Sequence, residues 1–304
     1  MTTEVLCIGQ AVVDCITRGV EDDPFGRGKT RAASITLNLG GDAVNESFVL
    51  ASLGRKAGLM CAVGDDLAGR FVVNEATRRG LDTAGVSIVT GIATPVANMF
   101  VKLDGSRSSV TSAASMLPGY VPSADHVRAC ISEGARIVSF ASLFRAPLDQ
   151  PEVVCSLIRA AHESGAIVCA DTKIPTFRSM CLEDLGPVLP MIDYIFPNET
   201  EAAFLTGMSE GDDADYSKMA DALLDRGICH VVIKTGEKGL YAASREGHFA
   251  VPALHVPVVD TTGAGDNLVA GFMDALLRGE DFRSCCEAGI RTAAESVQHL
   301  GATI

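Results

Sequence analysis

Between Val258 and Phe272 the chain reads VVDTTGAGDNLVAGF, an apolar strand end, a glycine turn, and a helix start with an aspartate in its first turn. Gly263 and Gly265 let the backbone turn sharply and approach a ligand closely. The unpaired N–H groups and positive dipole end of the following helix favour a phosphate there. Asp266 then has two readings. It can cap the helix, since aspartate is among the best capping residues. Or it can take the proton from a hydroxyl while the amides of Gly263, Ala264 and Gly265 hold the phosphoryl group that the hydroxyl attacks.

Other segments carry polar residues at turns. Gly40-Gly41 opens a helix containing Asn45; this is either a plain strand-to-helix turn or a place where backbone and Asn45 meet a polyol, with Asp14 accepting from a second hydroxyl. Asn198 and Glu201 at the next helix start form either a capping box or the surroundings of a hydrated magnesium ion, which takes few protein oxygens. Lys234-Thr235-Gly236-Glu237-Lys238-Gly239 is either a loop entering a hairpin or a place for a nucleotide's phosphates to pass. Lys173, two residues after Asp171, can reach an anion, although a lysine at a strand end is more often solvated. Asp23 to Thr30 imitates a phosphate-binding P-loop, but Asp23 replaces its first glycine and no apolar strand precedes it, so it reads as a surface turn. After the first strand stands Gly9-Gln10-Ala11-Val12, without the dinucleotide fingerprint. There is no H-R-D catalytic loop, and the six histidines form no ligand spacing.

These residues need a scaffold that brings them to one edge. Residues 136–140, 166–171, 194–198 and 230–234 are short apolar runs, separated by stretches such as 152–164 and 217–226 that fit crossover helices. Continuous apolar strands with helical crossovers imply a parallel sheet covered on both faces, with ligands at the carboxyl ends of the strands. Asp171, Asn198, Lys234 and the Asp260 turn fall at such ends. Residues 31–39 and 96–105 instead alternate apolar and polar and predict half-exposed antiparallel strands, a small lid whose apolar face closes over the site or pairs with another subunit's lid.

Composition narrows the class. With 304 residues, 47% hydrophobic and 21% charged, the chain reads as an ordinary globular protein. A net charge of −13 argues against a nucleic-acid partner, so any phosphate is held locally. No run approaches the roughly 20 apolar residues that span a bilayer, and the N-terminus reads as a first buried strand, not a signal peptide. The ten cysteines are scattered without a C-x-x-C pair, which argues against zinc and fits a cytoplasmic protein.

Taken in order, Gly40-Gly41 with Asn45, Asn198-x-x-Glu201, Lys234-x-Gly-x-x-Gly239 and Asp260-Thr-Thr-Gly-Ala-Gly-Asp266 resemble the ribokinase-like, or PfkB, family of carbohydrate kinases over essentially the whole chain. The last motif, with Ala270-Gly271-Phe272 after it, is the most specific. The resemblance implies one α/β domain over 1–304, a ribokinase-like three-layer α/β/α sandwich with a mostly parallel central sheet and a β-lid whose strands are inserted at about 13–39 and 93–115. It also implies ATP, magnesium and a potassium-like monovalent cation, and transfer of the γ-phosphate to a hydroxymethyl group of a small sugar or sugar acid. On that resemblance Asp266 is the base, and Gly263, Ala264 and Gly265 form the cradle. Asp14, Gly40, Gly41 and Asn45 hold the sugar. Asn198 and Glu201 order magnesium through water, Lys234, Thr235, Gly236 and Gly239 hold the nucleotide, and Asp260 and Thr262 the monovalent cation. A homodimer through the lid is expected. A nucleoside kinase of the same fold and a non-catalytic sugar-binding relative are the alternatives.

The chain departs from the family at Asp42 and Val44, which replace the lysine and the alanine of the ribokinase-type G-G-K-G-A-N turn, so ribose is not implied. An asparagine often seen near the adenine is missing around Ala288 to Arg291. A substrate that is already phosphorylated would need basic residues, for which Arg107, Arg145 and Lys173 are the candidates.

Overall fold

Along the first strand, β1 (Val5–Ile8), Leu6 and Ile8 pack into one hydrophobic core while Val5 and Cys7 pack into another. Successive strand residues face opposite ways, so a strand apolar on both faces must lie inside a sheet covered on both sides. The computed structural model describes residues 2–20, 31–102, 107–112, 117, 119–211 and 214–302, with backbone only at 20 and 107. The P-loop-like segment at 23–30 lies outside them.

In chain order β1 is followed by β2 (Val12–Val20), β3 (Ser34–Gly40), α1 (Asp42–Ser52), β4 (Ala57–Gly64), α2 (Leu67–Arg78), β5 (Val86–Val89), β6 (Val96–Lys102) and β7 (Arg107–Thr111). Then come α3 (Ala124–Ser132), β8 (Ile137–Leu143), α4 (Pro151–Glu163), β9 (Ile167–Thr172), β10 (Tyr194–Phe196), α5 (Glu199–Thr206) and α6 (Tyr216–Leu224). The chain closes with β11 (His230–Lys234), β12 (Leu240–Ser244), β13 (Gly247–Val251), α7 (Ala264–Leu277) and α8 (Phe282–Ser296).

Among the described residues one sheet has the order β13-β12-β11-β10-β9-β8-β1-β4-β5. It is parallel from β11 to β5 and ends in the antiparallel hairpin β12–β13. Residues of α3, α4, α5 and α6 fill the core on one face, and residues of α1, α2, α7 and α8 fill the other. These are the three layers that the strand and helix alternation predicts. The crossovers at 152–164 and 217–226 are α4 and α6, each beginning one residue earlier.

The second sheet has the order β3-β2-β6-β7 and supplies the lid. Cross-strand partners share a face, so the register sorts its residues. Asp14 pairs with Asn38 and Ala97, Ile16 with Thr36 and Met99, and Arg18 with Ser34 and Val101. This set includes the residues that face the body of the protein across a cavity. The other face carries Ile35, Leu37 and Val110, which are 66%, 59% and 57% exposed. Ile35 and Leu37 of β3 therefore point away from the cavity, whereas Ile16, Leu39, Met99 and Val101 of the lid line it, so apolar lid residues stand on both faces. Asp14 follows β1 and lies inside β2, within the span of about 13–39 given to the lid.

Candidate active site

The start of α7 is built around Gly263, which caps the helix in the left-handed conformation with φ 73°. A Cβ there would lie 2.3 Å from the carbonyl oxygen of Ala302, so only glycine fits. Asn267 fixes the turn from below by donating to the carbonyls of Gly263 at 2.8 Å and Ala302 at 2.7 Å. The Ala264 amide donates back to Thr261 at 3.3 Å, which leaves the first-turn amides of Gly265 and Asp266 without intrahelical acceptors.

The capping reading of Asp266 is not realised, because its side chain caps no amide. Its carboxylate is 4% exposed and accepts a 2.7 Å hydrogen bond from Nδ2 of Asn45. That bond joins α7 to the start of α1, where Gly41 has φ 95° and a Cβ would meet the Gln10 carbonyl at 2.4 Å. Asp14 reaches the same turn: a Cβ on Gly40 would fall 2.0 Å from its Oδ2. Asp14, Gly40, Gly41, Asn45 and Asp266, drawn from three segments of the sequence, thus form one connected cluster.

Negative charge accumulates around it. Burial and then the nearby Asp42 push the Asp266 carboxyl up to about 8, against the opposing pull of Lys173 and the Asn45 hydrogen bond. Burial, reinforced by Asp42, raises Asp14 to about 6. Glu46, beside Asn45 on α1, is fully buried and accepts from the Ser139 hydroxyl at 2.6 Å. Burial first, then Asp171, hold it well above the usual carboxylate range. Lys173, for which solvation is the commoner fate of a strand-end lysine, is only 24% exposed, with Nζ 3.4 Å from Asp42 and 3.9 Å from Asp171. Burial works against its charge, but Asp42, Asp171, Asp266 and Glu201 outweigh it and keep the ammonium protonated.

At the neighbouring strand ends, Asn198 and Glu201 form the full capping box, each side chain accepting from the other's backbone amide at 2.9 and 2.8 Å. Glu201 Oε2 also accepts from Thr172 at 3.1 Å. Among the described residues no cluster of three or more His, Cys, Asp or Glu could hold a metal directly. Asp171 Oδ2 is buried without a hydrogen-bond partner close to Glu201, so an ion reached through water fits here and a directly chelated one does not. Asp260 fits a monovalent cation poorly. Its Oδ1 accepts from the amide and hydroxyl of Thr262 at 3.0 and 2.6 Å, and its Oδ2 from the Gly301 amide at 3.2 Å and Arg18 at 3.3 Å. A cation would have to compete with that guanidinium.

Lys234 ends β11 and donates to Asp171 Oδ1 at 2.5 Å. In the loop that follows, Thr235 donates to the Gly239 carbonyl at 2.9 Å. Gly239, at φ 104°, lies so close to β13 that a Cβ would be 2.1 Å from the Val251 oxygen, while Gly236 faces open space. Of the other basic candidates, Arg145 donates to the Ile174 carbonyl at 2.6 Å, and the Arg107 side chain lies outside the described residues.

Two cavities converge on this edge. One, of about 520 Å³, lies between the lid, with Asp14, Arg18, Asn38 and Met99, and the Asp260–Thr262 turn. The other, of about 550 Å³, runs from Lys234, Gly236 and Gly239 past Gly265 to an apolar slot of Leu254, Leu268, Ile290 and Ala294. Val258 and Thr261 line both. The first is lined largely by polar side chains that suit a polyol, the second suits a flat apolar ring with an anionic tail, and they share the Val258–Thr261 segment just before the α7 helix start. Sequence reading missed Arg18, Glu46 and Asn267, since nothing local marks them.

The family model described as pfkB family carbohydrate kinase matches residues 2–304. A ribokinase of Haemophilus influenzae is 30% identical over 265 residues, covering 86% of this chain and 82% of the relative. A deoxyribokinase of Salmonella typhi is 26% identical, covering 98% and 94%. Among solved structures, Arabidopsis thaliana ribokinase complexed with ribose and ATP superposes with a TM-score of 0.83 at 24% identity, covering 99% of this chain and 95% of that one. The glycine turn, the two converging cavities and a family match along nearly the full length agree, and this chain belongs to the PfkB family of carbohydrate kinases.

Proposed function

We propose that this protein transfers the γ-phosphoryl group of ATP to a hydroxymethyl group of a small sugar or sugar acid, with Asp266 as the base. The observation that carries the reading is the Asn45–Asp266 hydrogen bond, which ties a buried carboxylate next to Gly265, a wall of the second cavity, to the Gly40–Gly41 turn that Asp14 of the lid cavity reaches. Asp14, Gly40, Gly41 and Asn45 hold the sugar. Lys234, Thr235, Gly236 and Gly239 follow the nucleotide, with its base in the apolar slot. Asn198 and Glu201 would hold a magnesium ion through water, and that ion would neutralise charge on the phosphates. Gly263, Ala264 and Gly265 cradle the transferring group. Catalysis is then mostly positioning and charge stabilisation by this chain's own groups. Asp260 and Thr262, already engaged with each other and with Arg18, are given no monovalent cation in this reading, and no step depends on one.

The test is ADP formation across free pentoses, hexoses, sugar acids, sugar phosphates and nucleosides. The reading expects a free sugar or sugar acid to give the highest kcat/KM; a nucleoside in first place would turn the assignment to a nucleoside kinase, and sugar binding without ADP to a silent relative. All ten cysteines are free thiols, which supports a cytoplasmic setting.

The outward lid face supports a homodimer, because Ile35, Leu37 and Val110 form an exposed apolar patch on a small sheet. Wild-type protein is expected to sediment as a dimer and the Ile35→Asp/Leu37→Asp double variant as a monomer. A wild-type monomer at micromolar concentration would refute the pairing.

A further inference from the structure

Lys173 is an ammonium with three donors, and none of them makes a hydrogen bond within the described residues. Its contacts are two ion pairs, to Asp42 at 3.4 Å and Asp171 at 3.9 Å. Lys234, by contrast, is tied to Asp171 Oδ1 at 2.5 Å. One buried carboxylate therefore tethers two lysines, tightly on the nucleotide side and loosely on the sugar side. Lys234 stands beside Gly265, 3.4 Å from where its Cβ would be. Lys173 stands among Asp42, Asp171, Asp266 and Glu201, whose charges all act on it.

The incoming phosphoryl group adds negative charge to a site that already holds Asp42, Asp171, Asp266 and Glu201. Such a group needs donors aimed at it that are not otherwise engaged. We propose that Lys173 is the ammonium that grips the transferring phosphoryl group, and that Asp42 is its resting partner. This rests on the kinase reading above. In the step, the acceptor hydroxyl oxygen forms a bond to the γ-phosphorus, the bond from that phosphorus to the β–γ bridging oxygen breaks, ADP leaves with those electrons, and the hydroxyl proton passes to Asp266. Lys173 transfers nothing; it moves its hydrogen bonds onto the γ-phosphoryl oxygens. Asp42 is suited to release it, since its Oδ2 keeps the Ser142 hydroxyl at 2.8 Å and its side chain is a quarter exposed, open to water.

The bland alternative is that Lys173 only neutralises Asp42 and Asp171. Two variants separate them. Lys173→Met is expected to lower kcat by about 10²- to 10³-fold, the scale for one lost transition-state donor, with both KM values within about threefold. Binding of ADP with aluminium fluoride in the presence of sugar, followed by calorimetry, should weaken by a similar factor while ADP alone binds as before. The Asp42→Asn/Lys173→Met double variant, which removes the ion pair as a unit and carries the test if the single variant does not fold, should stay as slow. Recovery of wild-type turnover or aluminium fluoride binding in the double variant would overturn the proposal, as would a near-normal Lys173→Met enzyme. A wild-type protein with no sugar-dependent ADP formation would instead sink the kinase reading, and this inference with it.

Discussion

Asp266→Asn is expected to lower kcat by at least about 10²-fold, the usual scale for a positioned general base, while leaving the fold intact. The amide is the same size and can still meet Asn45 after a flip, so the Asn45 contact across α1 and α7 has a replacement. The carboxylate is costly to the folded state. Its pKa is raised from 3.8 to about 8 by burial and by Asp42, so between those values the folded protein holds a proton that the unfolded chain has lost. Stability from this group is fully present below about pH 4 and is lost as pH rises through about 8. The asparagine variant has no such loss. Its melting temperature should therefore pull ahead of wild type as pH rises across that window, although it is the slower enzyme, a trade of stability for function. In wild type, kcat/KM should climb with pH toward about 8 as the base ionises. Equal melting curves at pH 5 and 8 for the two proteins would remove the physical basis of the assignment.

Gly265→Ala should separate a glycine needed by the ligand from one needed by the backbone. At Gly265 the nearest atom to an added Cβ is Lys234 Nζ at 3.4 Å, an ordinary contact, and the residue is helical. Alanine is therefore accommodated and gains up to about 1 kcal/mol of helix propensity. The residue lines the cavity assigned to the nucleotide, so a methyl group there stands where the phosphoryl group must approach the amides. Turnover is expected to fall about 10²- to 10³-fold, as when an oxyanion donor is lost, with the melting temperature unchanged or higher. Gly263→Ala would act differently, since φ 73° and the Ala302 carbonyl at 2.3 Å make it unfavourable before any ligand binds. A Gly265→Ala enzyme within twofold of wild type would mean that the phosphoryl group does not lie against this turn.

What could be read in the sequence was whatever local physics records. The apolar strands β8 to β11 and the helices between them follow from hydrophobic runs of strand length with crossover gaps, and the glycine turn before α7 from residues that few other contexts require. β2 falls in the span of about 13–39 that the resemblance gives to the lid, but local pattern does not mark it as a strand, because only three residues separate it from β1 and polar Asp14, Thr17 and Arg18 break its apolar run. The lid strands were legible but not the direction of their faces, which the register with β2 decides. The burial of Glu46 lies beyond local reasoning, and Lys173 is legible as a residue that can reach an anion, but its surroundings are not. Within its helix Glu46 reads as a solvated residue, and it is buried because α1 packs against both the sheet and α7. Lys173 reads as a strand-end lysine, and its setting is made by Asp42, Asp171, Asp266 and Glu201, which only the assembled fold brings together.

The most direct test of the account is transfer of labelled phosphate from γ-labelled ATP to the best sugar of the panel, run with wild type and Asp266→Asn side by side. The account predicts a labelled sugar phosphomonoester formed in step with ADP by wild type, and background labelling by a folded Asp266→Asn protein that still binds the sugar. Transfer by Asp266→Asn at the wild-type rate, or ADP formation with no label on the sugar, would contradict it.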